Sequence, residues 1–378
     1  MLNGRQAIES RGGATSAERS LAAVNDSASA FRLFTEGDDL YEAMLAAIAA
    51  ARTSIRLETF IFAADEIGWR FARALAESAG AGVQVRFHFD APGSASGASP
   101  DLYRLMTDAG VQLKWYHPWS SWYPSRYFQR NHRKLLIIDE QQLFLGGANI
   151  CVENSRALFG EGRQRDTHVL VTGALAGQAA ALFDDTWARP EIRHKQVRAT
   201  RVPEFSGLYH RRMASLHAAA IRRAQCRVYI TSPYFCPGSR VERAVRWSAG
   251  RGVDVRVLVP RNSDPPFVGW MTRSAYSPLL KAGVRVYEYL PGRKLHAKSV
   301  AIDDDWSIIG STNLDRWSLI INHELVLVAR DERLANELRQ AFFEDLERSE
   351  EVQLSEWTMR GWRERLLETI GWMGRKVL

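Results

Sequence analysis

The chain has 378 residues, 46% of them hydrophobic and 25% charged, the balance of a folded globular protein of two or three domains rather than a disordered or fibrous chain. Its formal net charge of +7 favours anionic partners, the phosphodiesters of nucleic acid or of an anionic membrane surface, without choosing between them. Three cysteines without C-x-x-C spacing imply neither a disulfide framework nor a zinc site, and no apolar run reaches the ~18–20 residues of a spanning helix, so a membrane contact would be peripheral.

Residues 1–29 are rich in Ser, Ala, Gly and charge without periodicity and read as a disordered or loosely docked leader. From Phe31 helices and apolar strands alternate: a helix over 41–52, a strand over 54–62, a helix over 67–80 and a strand over 83–89, the succession of an α/β fold. The aromatic stretch WYHPWSSWY at 115–123 is loop-like, and either packs on the core or forms a wall that dips into lipid. Then come His132-Arg133-Lys134 and Asp139 around the apolar run 135–138, followed by Gly146, Gly147 and Asn149. A strand over 167–171, a helix over 174–187 and a basic, proline-containing connector near 189–202 close this half.

The second half repeats the first. His296-Ala297-Lys298, Asp303, Gly310, Ser311 and Asn313 return at the same offsets, with the apolar run 299–302 between them, a strand over 324–328 and a helix over 332–346 behind. Residues 226–235 match the strand at 54–62, and A-G-V precedes a strand at both 109–111 and 282–284. The chain thus divides into a leader (1–29), two copies of one α/β unit (30–195 and 196–350) and a tail (351–378). Each copy supplies one histidine, one lysine and one asparagine, so pseudo-twofold packing with a single site at the interface is expected.

In H-x-K the two side chains project from one face of an extended strand. Two lysines and two asparagine amides suit the non-bridging oxygens of a phosphate. One neutral imidazole then attacks phosphorus while the other, protonated, supplies the leaving alkoxide with a proton; no metal and no other cofactor is needed. Asp166 and Glu324, each opening the strand behind its motif, are the candidates for holding an imidazole N–H. His117, His168, His194 and His323 do not pair at metal-ligand spacing. Glu58, a carboxylate within an apolar strand, either lines the cleft or is a partnered edge residue.

The doubled H-x-K-x4-D with its G-x-x-N tail resembles the phospholipase D superfamily. GSTNLDR at 310–316 followed by Asn322-His323-Glu324, together with LETFIF at 57–62, is similar to the bacterial cardiolipin synthases, in particular a shorter branch without transmembrane helices. The resemblance spans residues 31–348. It implies two phospholipase D-like repeats, each a mixed sheet flanked by helices, with one shared active site. It also implies His132 as the nucleophile that forms a phosphohistidine and His296 as general acid and then base. Lys134, Asn149, Lys298 and Asn313 would bind phosphate, and Asp166 and Glu324 would orient the histidines. Asp139 and Asp303 complete the catalytic motifs and would tie down the motif loops.

The implied reaction moves a phosphatidyl group to the hydroxyl of a second phospholipid such as phosphatidylglycerol, at the cytoplasmic face of the bacterial inner membrane. With water as acceptor the same cycle gives a phospholipase D or another phosphodiesterase, nucleases included. An apolar loop at 265–271 mirrors the aromatic stretch of the first half. Over 357–378, Met359, Trp362, Leu366, Ile370, Met373 and Val377 form a stripe on a basic amphipathic helix that either packs on its domain or docks on a membrane. These features favour an anionic phospholipid surface over nucleic acid as the partner.

Overall fold

Each half of the chain builds a mixed sheet in the same strand order. The computed structural model describes residues 29–95, 99–118, 128–188, 206–210 and 212–374, so the leader, the connector, Trp119 to Tyr123 of the aromatic stretch and the last residues of the tail lie outside it. The first half contributes β1 (Ala30–Phe34), β2 (Ser54–Thr59), β3 (Gln84–Asp90), β4 (Gln112–Tyr116), β5 (Leu135–Ile138), β6 (Gln142–Gly146), β7 (Gln164–Arg165) and β8 (His168–Thr172). The second contributes β9 (Gly207–Tyr209), β10 (Arg227–Thr231), β11 (Asp254–Pro260), β12 (Arg285–Tyr289), β13 (Lys294–Leu295), β14 (Ser299–Ile302), β15 (Trp306–Gly310), β16 (Val326–Arg330) and β17 (Ser349–Glu351).

The first sheet runs β1-β8-β6-β5-β2-β3-β4 and the second β9-β16-β15-β14-β10-β11-β12-β17, one strand longer but otherwise the same. In both, the first two βα units give parallel pairs, β2 with β3 and β10 with β11, while the motif strand lies antiparallel to the first strand of its unit, β5 to β2 and β14 to β10. The sheets face each other. Leu135 and Ile137 of β5 share a core with Ala301, Ile309 and Leu327 of the other half, closed by Phe183 and Phe342 from helices Ala174–Ala188 and Glu332–Leu346. The alternate residues Leu136 and Ile138 join the outer core of the first half, and Val300 and Ile302 that of the second. A strand covered on both faces is apolar throughout, which is why LLII reads as a run.

The structure departs from the sequence reading at the ends of elements. The strands expected over 54–62 and 226–235 stop at Thr59 and Thr231. Beyond them the Thr59 hydroxyl donates to the Ile61 carbonyl (3.0 Å) and that of Ser232 to the Tyr234 carbonyl (2.9 Å), turning the chain out of the sheet in both halves. The strands expected at 167 and 324 begin at His168 and Val326, leaving Asp166 and Glu324 outside the sheets.

Residues 265–271 are not a loop. All but Pro265 belong to the helix Pro266–Arg273, whose first residue is a proline with φ already set for a helix. The tail is not one helix but two, Leu354–Met359 and Trp362–Gly374, broken where Arg360 turns back to pair with Glu368 and to lie 4.2 Å over the Trp357 ring. Its second helix approaches Pro266–Arg273 through Gly371, where a Cβ would stand 2.5 Å from the Trp270 carbonyl. The glycine face packs and the apolar stripe faces outward: Met359, Trp362, Leu366, Ile370 and Met373 are all exposed. Among the described residues no helix is long and apolar enough to cross a membrane.

Candidate active site

The backbone brings the two motifs together by exchanging edges. β7 of the first half pairs in parallel with β13 of the second, and Asn131 bridges His323 in the same sense. The His296 N–H donates to the Arg165 carbonyl (2.8 Å) and the His132 N–H to the His323 carbonyl (2.9 Å), one contact the pseudo-twofold copy of the other. Each motif histidine is therefore fixed beside the residue that precedes the other half's carboxylate.

The carboxylates are crossed. His296 Nδ1 meets Asp166 Oδ2 at 2.5 Å, and His132 Nδ1 meets Glu324 Oε2 at 3.2 Å, with the Ser311 carbonyl at 3.1 Å. In each ring this leaves Nε2 for substrate. The crossed pairs differ. Asp166 sits so close to the turn that a Cβ at Gly147 would be 2.1 Å from Oδ1, whereas the longer Glu324 accepts a hydrogen bond from the hydroxyl of Ser311, the residue that replaces Gly147 in the second copy. Gly with Asp and Ser with Glu are matched choices.

Lys134 and Lys298 are buried, each donating to the carbonyl of its own motif histidine, His132 (2.8 Å) and His296. The Lys134 ammonium also lies 5.2 Å from the centre of the Phe60 ring, which meets His132 edge-on at 5.0 Å. Asn149 Oδ1 accepts from the Ile61 N–H (3.1 Å), which directs the amide's donor nitrogen the other way. Asn313 is buried in the equivalent place, and its Oδ1 has no hydrogen-bond partner among the described residues.

Asp139 and Asp303 are not part of this cluster. They lie at the far ends of β5 and β14, roughly 16 Å of extended chain from the lysines. Asp139 accepts from the N–H groups of Arg52 (2.9 Å), Thr53 (2.8 Å) and Ser54 (2.9 Å), and Asp303 from those of Gln225, Cys226 (2.8 Å) and Arg227 (3.0 Å). Counting them among the catalytic groups is corrected: they anchor the loop that enters the first strand of each unit. Burial alone would raise the Asp139 carboxyl, but these donors bring it down to about 2.

The electrostatics suit an arriving anion. Burial, and after it the Lys134 ammonium, lowers the His132 imidazole, while burial followed by Lys298 takes His296 down to about 4. Burial likewise lowers Lys134 to about 7 and Lys298 to about 8. For Asp166 burial works upward, and Lys298 and His296 override it to leave the carboxyl at about 2. A phosphodiester placed among these groups would stabilise their charged forms.

Glu58 is neither at an edge nor in the cleft. It is buried on the central strand β2 and accepts from Arg133 (3.0 Å), next to His132, with His88 at 3.1 Å. Beside it Asp90 accepts from the Asn131 N–H (2.9 Å) and from Arg130 (3.3 Å). This network beneath His132 was not found by motif reading, although Arg133 inside H-R-K and the carboxylate within an apolar strand were its traces. Of the other histidines, His168 is buried and lowered to about 4 by burial, and His323 lies 3.1 Å from Gln129. His194 lies outside the described residues, among which no group of three or more His, Cys, Asp or Glu is placed to hold a metal ion.

A sequence profile described as "Cardiolipin synthase, PLD-like domain" matches residues 44–187 and again 218–346, one match for each half. The chain belongs to that family. It is thus an enzyme of the phospholipase D superfamily, in the phosphatidyltransferase class. Cardiolipin synthase A of Pseudomonas entomophila is 35% identical over 338 residues, 85% of this chain and 69% of that protein. Cardiolipin synthase 1 of Bacillus cereus is 28% identical over 390 residues, 96% of this chain and 74% of that one. The fold is shared with phosphatidylserine synthase of Haemophilus influenzae, whose crystal structure superposes with a TM-score of 0.71 at 12% identity, covering 96% of this chain and 98% of that one. In a member of the cardiolipin synthase family, the matched halves are the two edge-exchanging units described above.

Proposed function

We propose that this enzyme forms cardiolipin-type lipid by passing a phosphatidyl group from phosphatidylglycerol, through a phosphohistidine on His132, to the hydroxyl of a second phospholipid. The observation that carries the reading is the crossed arrangement, in which each repeat's carboxylate holds Nδ1 of the other repeat's histidine beside two buried lysines. His132 Nε2 attacks phosphorus as the bond to the glycerol oxygen breaks, and the His296 imidazolium gives that oxygen its proton. The neutral His296 then takes the proton of the incoming hydroxyl, whose oxygen bonds to phosphorus while the phosphorus–nitrogen bond breaks. Lys134, Lys298, Asn149 and Asn313 hold the non-bridging oxygens throughout, and Asp166 and Glu324 fix the ring orientations.

The enzyme works peripherally on an anionic phospholipid surface, at the cytoplasmic face of the inner membrane. The outward stripe of Trp362, Leu366, Ile370 and Met373 supports this, with Arg363 packed 5.5 Å over Trp362. The test incubates the protein with phosphatidylglycerol vesicles, with and without added glycerol, and identifies the products. Diphosphatidylglycerol that glycerol suppresses is expected, with the protein sedimenting with the vesicles; phosphatidic acid as sole product would overturn the transferase in favour of hydrolysis.

Transfer through these groups needs two ammonium groups and one imidazolium. The kcat/KM profile is expected to fall as pH rises, first past about 4 as the His296 imidazolium is lost, then more steeply past about 7 and about 8 where Lys134 and Lys298 lose charge. A kcat/KM that stays constant between about pH 6 and about pH 9 contradicts this assignment.

A further inference from the structure

The segment that leaves the site at Asn313 and returns to it at Glu324 forms one wall of a separate cavity of about 860 Å³. It carries Arg316 and Ile320, and the cavity is closed by Arg212, Arg240, Glu242 and Trp372, among others. The cavity adjoins the chain that leaves the active site, since the Cys236 N–H in its lining donates to the carbonyl of Leu314 (2.9 Å), the residue after the buried Asn313. Among the described residues its lining holds three arginines against one carboxylate, Glu242, which also faces Arg246 at 3.9 Å. Two helices, Met213–Arg223 and Ser239–Gly250, start at this wall, and neither has a side-chain cap on its first N–H groups.

Part of the lining is apolar. Ile320 and Trp372 are each about half exposed, and Trp372 continues into the outward residues Ile370 and Met373 of the last helix. A lining that combines arginines with exposed apolar side chains fits an amphiphile with one anionic head. In the first repeat the position of Arg316 is held by Val152, so the two halves are not equivalent in this respect.

We propose that this cavity takes the phosphodiester head of the acceptor phospholipid, its acyl chains leaving over Ile320 and Trp372. The proposal rests on the lipid-acceptor reading above. Guanidinium groups bind phosphate oxygens in paired hydrogen bonds, so Arg240 and Arg316 position the second lipid while its free hydroxyl reaches the phosphohistidine.

The test supplies phosphatidylglycerol in mixed micelles with labelled glycerol and measures two products of one first step: diphosphatidylglycerol, and label exchanged into phosphatidylglycerol. With Arg240→Gln and Arg316→Gln together, the ratio of the first to the second is expected to fall about tenfold, and lysine at both positions to restore part of it. A ratio that stays at the wild-type value overturns the site, whatever happens to the absolute rates. If the wild type exchanges glycerol but makes no diphosphatidylglycerol, the lipid-acceptor reading has failed, and the cavity is judged by equilibrium dialysis of dihexanoyl phosphatidylglycerol instead. Binding lost in the glutamine variant supports an anionic-lipid site. Equal binding by both proteins, or displacement by inorganic phosphate at the lipid's own concentration, overturns it.

Discussion

Alanine at His132 abolishes turnover, and alanine at His296 does so to the same extent, each by at least about 10⁴-fold. Equal losses are expected because neither repeat holds a complete site: the carboxylate that fixes His132 comes from the second half and the one that fixes His296 from the first. Asp166→Asn and Glu324→Gln cost less, about 10²–10⁴-fold, since the imidazole stays but its orientation and tautomer are no longer set. A substrate with an activated leaving group separates the roles. A nitrophenyl phosphodiester needs no proton on its leaving oxygen, so His296→Ala and Asp166→Asn should still release one equivalent of nitrophenol and stop at the phosphohistidine. His132→Ala and Glu324→Gln should release none at that rate. The opposite pattern reverses nucleophile and acid, and an undiminished rate in either alanine variant removes the shared site altogether.

What the sequence made legible was whatever rests on short-range periodicity. The motif strands β5 and β14 fall at the expected residues because both faces of each are buried, and the shared offsets of His, Lys, Gly and Asn follow from the two units having one topology. Which carboxylate serves which histidine was not legible, because that depends on edge exchange between β7 and β13, strands of two residues with no pattern of their own. Which face of the tail packs was not legible for a related reason. Its apolar stripe marks a helix face correctly, but which face packs is decided by Gly371 against the Trp270 backbone, a contact that side-chain hydrophobicity does not encode. Asp139 and Asp303 sit in the motif by sequence yet at the other end of a strand in space.

The Glu58 network leads to the largest expected effect on stability. Glu58→Ala removes the carboxylate that Arg133 donates to, leaving a guanidinium about 1% exposed without that partner, and breaking a buried pair in this way costs about 3–5 kcal/mol. The second repeat shows that the fold does not require the charges. Asp139 and Asp303 anchor Ser54 and Arg227, so Thr231 stands where Glu58 does; by the registers of β3 and β11, Leu258 stands for His88, and by the motif offset Ala297 for Arg133. Transplanting all three, Glu58→Thr, His88→Leu and Arg133→Ala, should therefore recover at least half of the loss measured by urea unfolding, because no buried charge is left unpaired. The recovered protein should still be slow, since Arg133 and Asn131 flank His132 and the Arg133 guanidinium reaches Asn131 Oδ1 at 3.2 Å. A triple variant no more stable than Glu58→Ala would mean that the network is needed for packing. One that is both stable and fully active would mean that it has no part in positioning His132.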